Sequence, residues 1–424
     1  MTYARLRFGL LAVIAMSLFP TPSWSQAPTN DSLVRLITRT QSEVDALKKI
    51  KFSGYIQAQF QKADTMGIAS FAGGNFEPMV NNRFMVRRGR LKTTYTGKGA
   101  TAVLQVDVTE KGVAIKDAYF TLAKPGGKWL QLTMGCFNRP FGFEIAYSSS
   151  KRESPERARV TQSLFPGERD IGAMLSVVPP KSSALNILRL DVGMFNGSGP
   201  TVVDFDSRKD VITRFSATKP SSNQKSKFSG GLSYYNGGVV QSTPFVARGI
   251  TAMNGSLQGF IVDSNDAHIG KFAPRTYMGA DAQVTVGKTT LRGEFIQGKQ
   301  PGTSSSNVSP TKDPAAPTYM RNINGAYFYV VQTFLKKHQV ILKYDWYDPN
   351  TDLAGDEIGV AGNTGKADIK FTTTGFGYAF LPDEKVKITI YYDIVKNETS
   401  ANGGAFVRDL PDNVLTIRLQ IKSP

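Results

Sequence analysis

The 424-residue chain carries 51 Lys+Arg against 34 Asp+Glu, a formal net charge of +17, and has one cysteine and two histidines. A single cysteine excludes a disulfide-stapled domain, and no stretch after residue 20 reaches the roughly 18 apolar residues of a spanning helix. A hydrophobic content of 41% leaves a membrane β-barrel open, because half of every barrel strand faces water.

The first 25 residues read as a signal peptide. Arg5 and Arg7 precede the apolar run Phe8–Phe19, and Ser23-Trp24-Ser25 supplies small residues for cleavage after Ser25. The alternative, an uncleaved anchor helix, has a short run for that role. Export turns the basic excess away from nucleic acid and toward anionic lipid such as lipopolysaccharide, cell-wall polymers, or anionic solutes in a pore. Residues 26–50 follow as an amphipathic helix. Leu33, Ile37, Thr40, Val44 and Leu47 keep the 4-3-4-3 spacing of a coiled-coil seam, with Asp31 or Ser32 to cap its start and Lys48 and Lys49 at its end. Three heptads are marginal alone, so the seam predicts self-association; the other reading docks it on the periplasmic mouth of a barrel.

From Lys51 to Lys422 the chain alternates apolar and polar residues in segments of about ten, the length of a tilted membrane strand. Sixteen candidates run over 52–61, 83–95, 100–110, 115–123, 129–137, 170–178, 185–195 and 210–217, then 228–235, 275–286, 288–299, 323–335, 337–347, 368–380, 385–396 and 412–422. In the last, Leu415, Ile417, Leu419 and Ile421 point one way and Thr416, Arg418 and Gln420 the other. Tight turns (Gly97-Lys98-Gly99, Pro125-Gly126-Gly127, Gly287-Lys288, Lys336-Lys337, Pro382-Asp383-Glu384) alternate with long segments such as 63–82, 138–169, 236–274 and 301–322. Short periplasmic turns and long outer loops produce that rhythm. Only Lys111-Gly112-Val113-Ala114 is short for an outer loop. The fold class is therefore all-β, a 16-stranded antiparallel transmembrane β-barrel over 51–424 with a short N-terminal coiled-coil helix. Cys136 shares the parity of Leu130, Leu132 and Met134, which predicts a lipid-facing residue and no disulfide.

The segment 138–169 is long and carries its own prolines and aromatics, so it is expected to fold inward and narrow the lumen rather than form a lid or an exposed epitope. On the second strand Arg88, Arg90 and Lys92 share one parity, stacking three cations along one wall. Arginine on the lipid face at the midplane would cost roughly 2–4 kcal/mol each, so the lumen is the cheaper place. Arg87 breaks the parity and requires a bulge beside Gly89 or a position between subunits. Two readings of this column remain open: attraction of anions, or a lumenal wall whose cations are balanced by Asp107 and Asp117 on the next two strands.

Arg87-Arg88-Gly89-Arg90-Leu91, Lys116-Asp117-Ala118-Tyr119, Gly135-Cys136-Phe137-Asn138-Arg139-Pro140-Phe141-Gly142, Arg169-Asp170-Ile171-Gly172 and Gly193-Met194-Phe195-Asn196-Gly197 occur in this order, with Leu415-Thr416-Ile417-Arg418-Leu419-Gln420 closing the chain. The pattern resembles the phosphate-selective porin O and P family, most strongly over 83–215. The resemblance implies a trimeric outer-membrane barrel of a Gram-negative bacterium, an inward-folded third loop, and paired constriction arginines at Arg87 and Arg88. Within 138–170, Arg139, Lys151, Arg152, Arg157, Arg159 and Arg169 nearly balance Glu144, Glu153, Glu156, Glu168 and Asp170, so a lysine-rich binding centre of the family's kind is not evident on the loop. The chain also ends Ile421-Lys422-Ser423-Pro424 rather than in an aromatic residue.

The candidate pore-lining, anion-attracting residues are Arg87, Arg88, Arg90, Lys92, Arg139, Arg157 and Arg159. The leading expectation is a passive porin favouring small anions, phosphate or a related oxyanion foremost, without cofactor or metal. A general-diffusion porin and a structural or adhesive barrel are the alternatives. Enzyme chemistry has little to work with. His338 sits at a turn, and His268, near Asp263 and Asp266, lies in a long loop where a lone histidine is usually solvated.

Overall fold

The computed structural model describes residues 30–220, 226–253 and 256–423. The predicted signal peptide, 1–25, lies outside them. The chain divides into two units, the first reaching Ile50 and the second comprising the rest.

In the first unit, α1 (Asn30–Leu47) starts close to the expected cap and carries Asp31 in its first turn. Leu33, Ile37, Val44 and Leu47, the seam positions, are all exposed. Arg39–Glu43 and Asp45–Lys48 pair along its exposed surface, each at 3.0 Å.

The second unit is a closed antiparallel barrel. Its wall begins with β1 (Ile50–Ala63), β2 (Asn82–Thr96), β3 (Ala100–Thr109), β4 (Gly112–Ala123) and β5 (Leu130–Asn138). It continues through β6 (Arg169–Val177), β7 (Leu188–Phe195), β8 (Asp210–Pro220) and β9 (Ser226–Val240). A hairpin, β10 (Phe245–Met253) and β11 (Ser256–Ser264), then leaves the wall. The remaining wall strands are β12 (Phe272–Val286), β13 (Thr289–Gly302), β14 (Thr318–Phe334), β15 (His338–Asp348), β16 (Phe371–Phe380), β17 (Val386–Asn397) and β18 (Val414–Lys422). β9 pairs directly with β12, Tyr235 opposite Tyr277, so the hairpin is excluded from the ring. β1 closes on β18 with Phe60 opposite Ile417. Among the described residues this makes sixteen wall strands, each coinciding with a predicted segment.

The sequence pattern places this hairpin inside one long loop, 236–274. Its two halves are rich in β-formers, but Gly249 (φ +64°) and Gly259 (φ +73°) interrupt them, and the register shifts beside each. That breaks the period-2 signal. β10 also runs parallel to the start of β14, Val246 opposite Thr318.

Alternation holds around the ring. On β18, Ile417, Leu419 and Ile421 are exposed on the outside while Thr416, Arg418 and Gln420 are buried within. β1 buries Gln57, Gln59 and Gln61 in the same way. The inward polar residues are covered because the loop between β5 and β6 folds into the lumen. Its turn inward places Gly142 at φ +59°, with the Glu294 carboxylate where a Cβ would sit. The two-residue link between β3 and β4 is as short as expected. Cys136 keeps outward parity but is buried, its thiol 3.5 Å from the Lys116 carbonyl. Burial of a lipid-side position reflects a register shift in β4 opposite, where Gln105 pairs with Asp117 and Val106 with Ile115.

Candidate functional site

The inward loop is held from two sides by different forces. On one side Phe141, Ile145, Val160, Leu164 and Phe165 join Tyr277, Ile296, Tyr327 and Tyr329 of the wall in one buried cluster. Phe141 packs on Phe165 with the rings tilted by 38° and their centres 4.8 Å apart, and Phe165 meets Tyr277 edge-on at 5.6 Å. Pairs of this kind add about 0.5–1.5 kcal/mol beyond the area they bury. The backbone N–H groups of Phe143 and Glu144 donate to Glu294 at 3.1 and 3.2 Å, fixing the loop to β13. Glu144 in turn accepts from the Ala158 N–H and the Thr161 hydroxyl at the start of α2 (Arg159–Leu164), so the loop's own carboxylate ties down the residue that leads into the helix.

On the other side the attachment is ionic. Glu156 receives Arg87 through Nε (2.9 Å) and Nη2 (3.0 Å) and Arg88 through Nη2 (2.7 Å) and Nη1 (3.3 Å). Arg418 adds Nη2 at 2.8 Å and also donates to the Pro155 carbonyl at 2.7 Å. Three guanidinium groups from two strands thus close on one carboxylate. Burial alone would raise the Glu156 pKa, but Arg87, Arg88, Arg418 and Arg152 outweigh it and hold the group well below the usual carboxylate range. The clamp also resolves the parity of Arg87. Phe84, Val86 and Leu91 are exposed on the outside, while Arg87 and Arg88, neighbours in sequence, both reach Glu156. The strand changes phase between them, two side chains turning to one face as at a β-bulge.

The other predicted residues are placed separately. Arg90 faces Asp107 at 3.5 Å, and Asp107 also accepts the Gly89 N–H at 3.1 Å. Asp117 pairs with Arg169 at 3.1 Å, so both predicted balancing acids are engaged. Lys92 is half-buried beside Gln105 and forms no ion pair among the described residues. Arg139, fully buried, lies 3.5 Å from Asp170 and donates to the Arg169 carbonyl. Arg157 is bound into the loop by Glu168 and by the carbonyls of Glu144 and Ile145. Burial brings the Arg157 guanidinium down to about 10 against the opposing pull of Glu168. Arg159 lies between the rings of Phe71 (4.4 Å) and Phe371 (3.9 Å). With Lys343, Asp345, Asp393 and Asp412 it lines a cavity of about 20 Å³, room for roughly one water.

Three residues matter that sequence reasoning did not single out. Glu156 had no periodicity to mark it, and Arg418 was assigned to the inner face without a partner because closure of β1 on β18 is what brings it to Arg88. The third is Arg152. It is 2% exposed, and none of its three guanidinium nitrogens has a hydrogen-bond partner. Its charge acts on Glu156, and its carbonyl accepts Lys387 Nζ at 2.8 Å.

No family model matches the chain, and no curated protein matches it by sequence. Solved structures do. An anion-selective porin from Comamonas acidovorans is 11% identical, with TM-score 0.53, over 88% of this chain and 99% of that one. OmpF of Salmonella typhi in complex with daunomycin is 10% identical, TM-score 0.52, over 88% and 97%. The trimer form of OmpT, an outer-membrane protein of Vibrio cholerae, is 8% identical, TM-score 0.50, over 88% and 99%. The chain has the porin fold.

Proposed function

We propose that this protein is a passive outer-membrane channel of a Gram-negative bacterium that favours small anions, with phosphate or a related oxyanion as the preferred solute. The observation that carries this reading is Arg152, a buried guanidinium inside the barrel without a hydrogen-bond partner, beside three arginines that already share one carboxylate. A buried cation left unpaired is costly, and its uncompensated charge adds to the positive field that an anion in the lumen meets. Arg and phosphate or carboxylate make short bidentate contacts, and several weak sites in series permit conduction. Lys92, half-buried on the wall and without an ion pair among the described residues, adds to the positive field, whereas Arg90, Arg139 and Arg157 are each balanced by a carboxylate. A homotrimer embedded among outer-leaflet lipids is the expected assembly. The anion-selective porin and the trimeric OmpT among its structural neighbours agree with this reading at the level of fold.

A second reading is a general-diffusion porin, supported by the ion pairs Arg90–Asp107 and Arg169–Asp117 and by Asp345, Asp393 and Asp412 around Arg159. Planar-bilayer recordings in an asymmetric KCl gradient separate the two. Anion-over-cation reversal potentials, chloride conductance lowered by phosphate, and loss of that block in Arg152→Gln are expected. Cation selectivity, or no open channel, refutes the proposal, and anion preference without phosphate competition selects general diffusion.

A further inference from the structure

One cavity of the barrel unit lies away from the constriction. It measures about 570 Å³, the size of a small-molecule site, and forms where the β10–β11 hairpin and the segment after it meet the loop-side ends of β12, β13 and β14. Its lining is strongly basic, with Arg248, His268, Lys271, Lys299 and Arg321 set against the single acid Asp352. Both oxygens of Asp352 already accept from Asn322 Nδ2, at 3.1 and 2.9 Å. Asp263 is shared between His268 (2.8 Å) and Arg248 (3.4 Å). Lys271 and Lys299 have no ion-pair partner among the described residues. Two lining residues also carry buried polar atoms without a partner, Gln241 Oε1 and Arg321 Nη2. Arg321 spends its other donors on Asp368 (2.8 Å) and the Thr303 carbonyl (3.0 Å).

Strand parity places this cavity against the outer face of the wall. Arg275 and Tyr277 of β12 are buried toward the lumen, so Pro274 and Met278 face outward. On β13 Gln300 is buried and Lys299 is exposed. On β14 Arg321 points inward, and Met320 and Asn322 have the opposite parity. A groove of about 470 Å³ shares Lys299 and Asn322 with the cavity and continues along Thr276, Met278 and Gln297. A basic cavity at the loop end of a lipid-facing wall therefore opens onto a groove along that wall.

Resting on the outer-membrane placement proposed above, we infer that this cavity and groove bind a phosphate-bearing lipid of the outer leaflet. Its phosphates are held by Lys271, Lys299 and Arg248, and an acyl chain lies along Met278. The charge surplus selects a phosphorylated head group, since Lys271 and Lys299, without ion-pair partners among the described residues, gain most from an anion, and Arg248 shares its one carboxylate with His268. The lipid-side groove selects an amphiphile over a free solute, whose route is the lumen.

The test uses the full-length protein, delipidated in detergent, with bis-phosphorylated lipid A as probe and native mass spectrometry as readout. Retained lipid A, no comparable retention of its dephosphorylated form, and no displacement by inorganic phosphate at equal concentration are expected. Lys271→Gln with Lys299→Gln should weaken lipid A binding by about tenfold per lost phosphate contact and leave single-channel conductance unchanged. Met278→Trp, which fills the groove and keeps the cations, should also weaken it. Equal binding of the dephosphorylated lipid, unaltered binding in both variants, or dissociation of the oligomer by the lysine substitutions overturns the inference, the last by assigning this face to a subunit contact. Binding is scored independently of conductance. A cation-selective channel that still retains lipid A refutes only the proposed solute preference, and an anion-selective channel that does not retain it refutes only the lipid site.

Discussion

Replacing Glu156 by Gln keeps the side chain's shape and removes the one negative charge shared by Arg87, Arg88 and Arg418. Removing one partner of a buried ion pair costs about 3–5 kcal/mol. Here the lower end applies, because Arg418 keeps Gln59 and the Pro155 carbonyl, and the glutamine oxygen still accepts one guanidinium. The loop stays in place, since its aromatic side does not involve Glu156. What changes is the field in the lumen, which gains one net positive charge. For an ion passing about 7 Å away at effective dielectric values between about 80 and 20, a unit charge contributes roughly 0.6–2.4 kcal/mol. Acting with opposite sign on the two ions, it raises anion occupancy by roughly threefold to fiftyfold and lowers cation occupancy by the same factor, so the anion-over-cation permeability ratio rises by roughly sevenfold to a few thousandfold. Reversal potentials in an asymmetric KCl gradient measure it directly, and limited proteolysis of 139–168 reports whether the loop has remained folded. An unchanged permeability ratio with a protected loop refutes the argument, because it removes the arginine cluster from the ion path.

Two further outcomes follow from other parts of the structure. Burial pushes the Asp412 carboxyl up to about 6, with Arg159 opposing the rise, whereas Glu156 stays ionised well below that. As pH falls from 7 to 5, Asp412 takes up a proton and Arg159 loses a counter-charge, so anion preference should increase with a midpoint near 6; Asp412→Asn should show the low-pH selectivity at every pH, and a midpoint that survives in this variant refutes the assignment. Deleting 26–50 removes the exposed Leu33, Ile37, Val44 and Leu47 seam. Loss of the oligomer on sizing columns credits the helix with self-association, and its persistence credits the barrel wall.

The wall was legible in the sequence because strand alternation is local. A residue's neighbours at i±2 state which face it occupies, and turn residues mark where the chain reverses. The placement of Arg88, Arg90 and Arg418 inside came from that rule alone. It stops wherever the backbone changes phase, as at Arg87, whose inward turn depends on a bulge, and at Gly249 and Gly259, which hid a hairpin inside a loop. It also cannot say which inward residues meet. Arg88 and Arg418 are 330 positions apart and join only when the ring closes. The loop presents the opposite difficulty. Its nearly balanced charges suggested a neutral segment, yet they are consumed unequally, Glu153 by Arg292, Glu156 by the arginine clamp, and Glu168 by Arg157 and Arg169. Lys151, Arg152 and Arg159 are left without an ion pair among the described residues, and of these Arg152 is the one whose three guanidinium nitrogens are all buried without a hydrogen-bond partner.

That inequality bears on how selectivity arises. A loop held only by ion pairs would answer changes of charge by moving, and its position and its field would vary together. This loop has a second attachment that does not use the arginine clamp. Phe141 and Phe165 are both almost fully buried among wall tyrosines, and side chains of that kind contribute about 1.5–3 kcal/mol each through burial. The aromatic side therefore fixes where the loop lies, and the arginine side sets the charge an ion encounters. Substitutions at Glu156, Arg87 or Arg418 should accordingly change which ions pass more than how wide the passage is. Truncating Phe141 or Phe165 should do the reverse, because it releases the loop while every charge on the opposite wall remains.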